Sequence, residues 1–254
     1  MTTRGILLYA FYNDNIDYYA LTEYCIFNLK KFLPKVPICL ITDMDIIGVD
    51  HIIKTVNNQN NTRLYRDGTS SNFKNLRLDC CDISPFDYTL LMDVDYIIRT
   101  RSLEYLFEET FTEKLRIGQI AHLANGNKPI SNYMNSLGDK FYWSTLVWFH
   151  KSKQIFFDLV KEIYSKKDLY WSYYNIPVPL WRNDYAYSMA LSILGLSPPS
   201  IVDSIQCVDD SNYINKLHPL VMDDQLISSD LHFMQKRQLC NLINLHKNAN
   251  NILR

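Results

Sequence analysis

Three short, almost wholly apolar runs constrain this chain more than any other feature. They are Ile6-Leu7-Leu8-Tyr9-Ala10-Phe11, Ile38-Cys39-Leu40-Ile41-Thr42 and Tyr88-Thr89-Leu90-Leu91-Met92. A continuous apolar run of this length is the mark of a strand covered on both faces. Between the first two lies a helical pattern from about Tyr18 to Phe32, with Leu21, Tyr24, Cys25, Asn28 and Leu29 at helical spacing and Pro34 and Pro37 closing it. His51 to Val56 reads as a further strand. Strands alternating with a helix predict an α/β, Rossmann-like domain with a mostly parallel central sheet flanked by helices. In such sheets ligands bind beyond the carboxyl ends of the strands. The segments at those ends are Phe11, Tyr12, Asn13 and Asp14, then Asp43, then Asp93-Val94-Asp95.

The rest of the chain is read more coarsely. Asn57-Asn58-Gln59-Asn60-Asn61 is a polar loop. A short helix is predicted over 71–81, placing Lys74 and Arg77 on one face. Ser84-Pro85-Phe86-Asp87 is a turn, and 117–121 and 146–149 are strand candidates. Helices are predicted over 152–164 and from Asn183 or Asp184 to Leu194, with a loop carrying Pro177 and Pro179 before the second. Past Pro198-Pro199 the patterning weakens. No linker is visible, so residues 1–254 read as one domain, with a nucleotide-binding half over about 1–100 and an acceptor half with a metal- and phosphate-binding tail over about 101–254.

Asp93 and Asp95 carry the clearest chemistry. In extended chain, residues i and i+2 point to the same side, about 6.5–7 Å apart. Two carboxylates at the end of an apolar strand repel each other and lose hydration unless compensated. A hard divalent cation, Mn2+ or Mg2+, would relieve both and leave room for phosphate oxygens. The competing reading is a pair of solvated turn aspartates. Lys74 and Arg77 are either ligands for diphosphate oxygens or a solvated helix face. Asp184 is either an N-cap or a working carboxylate. Trp143 and Trp181 are either sugar-stacking surfaces or core.

Composition excludes some partners. A formal net charge of -1 gives no global field for nucleic acid or an anionic membrane. Lys236, Arg237, His246, Lys247 and Arg254 form a basic C-terminal stretch that suits a DNA acceptor or a solvated tail equally. Six cysteines without metal-ligand spacing, two of them adjacent, suit free thiols in a cytoplasmic protein. No run approaches the ~20 apolar residues of a membrane span.

Phe86-Asp87-Tyr88-Thr89-Leu90-Leu91-Met92-Asp93-Val94-Asp95-Tyr96-Ile97-Ile98 resembles the strand plus DxD of the GT-A glycosyltransferases, in particular the glycogenin and galactosyltransferase group. Asn72-Phe73-Lys74-Asn75-Leu76-Arg77-Leu78 is similar to the basic helix before that strand. Asp230-Leu231-His232-Phe233-Met234-Gln235-Lys236 resembles the group's late histidine and phosphate-binding lysine, although it lacks the glycine and the Lys-Pro-Trp ending. The resemblance implies a metal at Asp93, Asp95 and His232, and donor contacts from Phe11, Tyr12, Asn13, Lys74, Arg77, Asp93, Trp143 and Lys236. It places Asn183 and Asp184 at the reacting sugar. It further implies transfer of a hexose from a nucleotide sugar, UDP-glucose or UDP-galactose by default, to a hydroxyl of a polysaccharide, protein, small metabolite or hydroxymethylated DNA base, with retention of configuration. Two rivals remain: a nucleotidyltransferase, although no glycine-rich loop follows the first strand, and a non-catalytic protein that binds sugar nucleotides.

Overall fold

The computed structural model describes residues 2–12, 14–55, 61–64, 70–73, 76–126, 128–130, 132–176, 181–209 and 230–252. The apolar runs become the strands β1 (Arg4–Ala10), β2 (Ile38–Thr42) and β6 (Tyr88–Met92). β1 pairs in parallel with β2 on one side and with β6 on the other, Leu8 standing opposite Leu40 and Met92. All five residues of β2 and of β6 are buried, as the absence of any polar alternation requires.

β3 (His51–Lys54) adds in parallel to β2 and forms one edge of the sheet. Its residues are mostly exposed, and Lys54 discourages pairing with another chain. On the other side β11 (Trp143–His150) runs antiparallel to β6, and β8 (Leu115–Gly118) antiparallel to β11. The six-stranded order is β3-β2-β1-β6-β11-β8; β11 alone is reversed, because β8, antiparallel to it, runs with the other four. The architecture is α/β, with a mostly parallel central sheet.

Helix α1 (Tyr18–Phe32) is capped by Asp17, whose carboxylate accepts from the Ala20 N–H at 2.9 Å, and carries Lys30 and Lys31 in its last turn. Both features complement the helix ends. A 3-10 turn at Leu76–Asp79 leads into the short helix α2 (Cys80–Ile83). Helix α3 (Gln154–Ser165) is followed by α4 (Lys167–Tyr173) and then by α5 (Asn183–Ile193), which packs on α3 and on β11.

Two expectations are corrected. Residues 70–73 are a strand, β5 (Ser70–Phe73), paired antiparallel with β4 (Asn61–Leu64), so the predicted helix over 71–81 begins only at Leu76. Serine and asparagine compete with a helical backbone for hydrogen bonds, so Ser71-Asn72 is a poor helix start. Lys74 lies outside the described residues, as do Asn13, Pro177 and Pro179. The stretch 117–121 is two strands in two sheets, β8 ending at Gly118 and β9 (Ala121–Leu123) beginning after it. A Cβ on Gly118 would lie 2.5 Å from the Ile205 Cδ1 and 3.0 Å from the Trp143 carbonyl oxygen, so the crossing requires glycine.

The weakly patterned C-terminal part also holds regular elements. It supplies β12 (Ile205–Val208), β13 (Leu231–Phe233) and the helix α6 (Lys236–Ile252). With β7 (Tyr96–Ile97) and β10 (Lys128–Pro129) these strands form a second sheet, ordered β10-β9-β12-β13-β7. α6 lies along α1, burying Leu239, Cys240, Leu242 and Ile243 on one face. Arg237 Nε donates to the Asn15 carbonyl at 3.0 Å, and Lys247 pairs with Glu23 at 2.8 Å.

Candidate metal and donor site

β6 delivers Asp93 to the carboxyl edge of the central sheet, and the chain turns there at once. Asp93 N–H still donates to the Thr145 carbonyl at 3.1 Å, one step beyond the β6–β11 ladder. The Tyr96 N–H then donates to the Asp93 carbonyl at 3.1 Å, closing a turn over Asp93-Val94-Asp95-Tyr96. The two aspartates are therefore not in extended chain, and the spacing of about 6.5–7 Å expected for i and i+2 is not what places them. The turn folds them together.

The third residue arrives by strand pairing. β7 begins at Tyr96 and runs antiparallel to β13, with His232 opposite Tyr96 and the Phe233 N–H donating to the Asp95 carbonyl at 2.9 Å. Asp230 anchors this pairing. Its Oδ1 accepts from the Arg99 N–H (2.7 Å), the Thr100 N–H (2.9 Å) and the Thr100 Oγ1 (3.0 Å), and its Oδ2 from the Ser102 Oγ (2.6 Å).

Among the described residues, ligand atoms of Asp93, Asp95 and His232 all lie within 4.8 Å of one another. His232 Nε2 is 3.6 Å from Asp95 Oδ2, and Nδ1 is 3.9 Å from the Cys207 sulfur behind it. Asp95 is 1% exposed. Its Oδ2 is ion-paired with the Lys236 ammonium, while its Oδ1 is buried with no hydrogen-bond partner. An orphaned carboxylate oxygen beside two further oxygen and nitrogen ligands fits a divalent cation. The donor set, two carboxylates and one imidazole, suits Mn2+ or Mg2+ with positions to spare for a ligand's oxygens.

Arg77 is buried, not spread on a solvated helix face. Its Nη1 pairs with Asp93 Oδ1, and its Nη2 donates to the Ser144 carbonyl. Burial acts to lower its pKa, but the facing Asp93 carboxylate, with Tyr187, Cys80 and Asp184, more than offsets this and raises it. The guanidinium stays charged.

Asp184 stands in the first turn of α5, not at its cap, which is Arg182. Its Oδ1 accepts from both the Ser144 N–H (2.8 Å) and the Ser144 Oγ (2.9 Å), and its Oδ2 pairs with Arg182 Nη2 at 2.7 Å. Asn183, half-buried, opens the helix. Trp143 is 1% exposed, with Phe141 edge-on at 5.4 Å and the Arg182 guanidinium 4.8 Å over its ring. Its ring is core, not an open sugar platform. Trp181 is half-buried among Trp171, Tyr185 and Tyr164.

At the ends of β1 and β2, the Tyr12 N–H donates to Asp43 Oδ1 at 2.7 Å, tying the two edge loops together. The Tyr12 side chain is 64% exposed and Phe11 half-buried, so one aromatic ring is open at this edge. Bonding to Asp14 raises the Tyr12 hydroxyl pKa. Ser144, Arg182, Asp230 and Cys207 carried no assigned role in the sequence. Asp230, Ser144 and Arg182 each lie beside a candidate residue in the sequence, near His232, Trp143 and Asn183, whereas Cys207 lies beside none.

No protein-family model matches the chain, and no curated protein does. Solved structures similar to it include the glycosyltransferase GlyE of Streptococcus pneumoniae, 14% identical over 90% of this chain and 54% of that one, with a TM-score of 0.44. The galactosyltransferase LgtC in complex with donor and acceptor sugar analogues is 12% identical over 92% of this chain and 82% of that one, TM-score 0.48. A 4-diphosphocytidyl-2C-methyl-D-erythritol synthase from Anaerococcus prevotii is 10% identical over 87% and 99%, TM-score 0.45. The chain thus spans little more than half the length of GlyE.

Proposed function

We propose that this protein is a metal-dependent glycosyltransferase that moves a hexose from a UDP-sugar to a hydroxyl acceptor. The observation that carries the reading is the convergence of Asp93, Asp95 and His232 at the carboxyl edge of a mostly parallel sheet, with a buried Asp95 oxygen left unpartnered. The resemblance of the segments around Asp93 and His232 to the GT-A pattern supports it independently of the geometry.

Asp93, Asp95 and His232 would hold Mn2+ or Mg2+. Bound there, the ion supplies positive charge to the leaving diphosphate. The chain's own residues do the rest. Lys236, paired with Asp95 at the same site, would add a second positive charge for the diphosphate. Tyr12 offers an exposed ring to the base at the adjoining edge, beside the half-buried Phe11. Asp184 presents negative charge held by Ser144 and Arg182, suited to stabilising positive charge as it develops on the anomeric carbon. The acceptor hydroxyl attacks that carbon, the bond to the diphosphate breaks, and the proton leaves with the diphosphate or a water. Retention of configuration and a reducing compartment belong to the same reading. No described helix is long and apolar enough to cross a membrane.

The test is a panel of UDP-, GDP- and CDP-sugars with Mn2+, reading release of nucleotide diphosphate, with and without added sugars, protein and DNA. UDP release with one hexose donor is the expected result. If every sugar nucleotide is neither bound nor cleaved, the proposal fails; binding without cleavage favours the non-catalytic protein.

A further inference from the structure

Ser144 sits between the two halves of the candidate site, and every polar atom it has is engaged with them. Its backbone N–H and hydroxyl both donate to one oxygen of Asp184, at 2.8 and 2.9 Å. Its carbonyl accepts from Arg77 Nη2, and the other arm of Arg77 holds Asp93. Ser144, Asp184 and Arg77 are all buried, so water cannot replace these bonds cheaply. Asp93 N–H to the Thr145 carbonyl, the next residue along β11, is a second tie between the same two strands.

We propose that Ser144 is a positioning residue, which registers the Asp184 carboxylate against the metal-binding carboxylate Asp93 through Arg77. The inference deepens the function proposed above and rests on it. In this arrangement Arg77 is not a contact to the diphosphate: both its Nη groups are committed to the protein. Two helical segments far apart in sequence, the 3-10 turn at Arg77 and the start of α5, are held in register by one residue of β11. Small displacements of a group facing the reacting carbon are costly in rate, so a residue that fixes Asp184 acts on turnover and not on binding.

Ser144→Ala removes the hydroxyl alone, keeping the N–H bond to Asp184 and the carbonyl bond from Arg77. The measurements are initial rates of UDP release from the hexose donor, and thermal melting with and without Mn2+. Expected are a fall in kcat on the order of tenfold, the scale of one hydrogen bond to a charged group, with KM for the donor and the Mn2+-induced melting shift unchanged. Ser144→Thr, which keeps the hydroxyl, restores most of the rate. In an Asp184→Asn background, Ser144→Ala causes little further loss, because the two act through one group. An undiminished kcat in Ser144→Ala overturns the inference, as do losses that multiply in the double variant. A parallel loss of kcat, donor KM and melting temperature would mean a structural role only and also overturns it. Absence of turnover in the unaltered protein is a different outcome and removes the proposed function itself.

Discussion

Replacing Asp95 by asparagine probes the site most directly, because it removes one charge and almost no volume. Asp95 is 1% exposed and Lys236 13% exposed by side chain. Breaking a buried pair costs about 3–5 kcal/mol when the remaining charge is stranded. Lys236 opens α6 and can turn its ammonium partly outward, so about 2 kcal/mol is a fair figure for this site. Unfolding entropy of about 2.1 cal/mol/K per residue over 254 residues comes to roughly 0.5 kcal/mol/K. Asp95→Asn should therefore melt about 4 °C lower without metal. A second difference appears with Mn2+. At a concentration 100 times its Kd, an ion bound only by the folded state adds about 2.7 kcal/mol, or roughly 5 °C. The unaltered protein should show that rise and Asp95→Asn should lose nearly all of it. Asp95→Asn/Lys236→Met, with both charges gone and the volume kept, should recover much of the metal-free stability without recovering the Mn2+ response. Differential scanning fluorimetry with graded MnCl2 and an EDTA control reads all of this. An Asp95→Asn protein that gains as many degrees from Mn2+ as its parent would refute the assignment.

Three further outcomes follow from other features. Gly118→Ala should destabilise the fold by about 1–3 kcal/mol, because the new methyl meets the Trp143 carbonyl as well as the movable tip of Ile205; urea denaturation showing no loss would contradict the packing. Asp230→Ala strands four donors on Arg99, Thr100 and Ser102 and loosens β13, so calorimetric titration should show weaker Mn2+ binding although Asp230 touches no ion. Burial pushes the thiols of Cys39, Cys81 and Cys240 up to about 11 and those of Cys25 and Cys80 higher still. In the unfolded chain these thiols ionise near their ordinary value of about 8.5, so the folded state binds more protons above it. Stability should fall as pH rises from about 8.5 through 11, and a thiol reagent at neutral pH should react quickly only after denaturation.

Much of the central sheet was legible because its strands are buried on both faces. Ile38–Thr42 and Tyr88–Met92 each carry a single threonine, too little polarity to set a competing period, and the bounds of both strands came out as read. The second sheet was not legible. Its strands are two to four residues long, as in Tyr96–Ile97 and Leu231–Phe233, too short to show any period. α6 was hidden for another reason: Leu239, Leu242 and Ile243 share their segment of sequence with Asn241, Asn244, Asn248, Asn250 and Asn251, residues of weak helix propensity. The metal ligands were named from type and resemblance, yet what brings them together is a turn and a two-residue strand pairing that no local pattern reveals. Ser144 and Arg182 act only through what they touch.

The clasp between β7 and β13 also sets an order of events during synthesis. Asp95 and Lys236 are 141 residues apart in the chain, and the four strands of the central sheet that pair in parallel with one another all lie before residue 93. Contacts of such separation close late in folding and chiefly after the local elements have formed. A nascent chain emerging from the ribosome can pair β1, β2, β3 and β6 while His232 is still unmade, with two neighbouring carboxylates already fixed at the sheet's edge. The last strand and helix then complete the cluster and compensate that charge in one step.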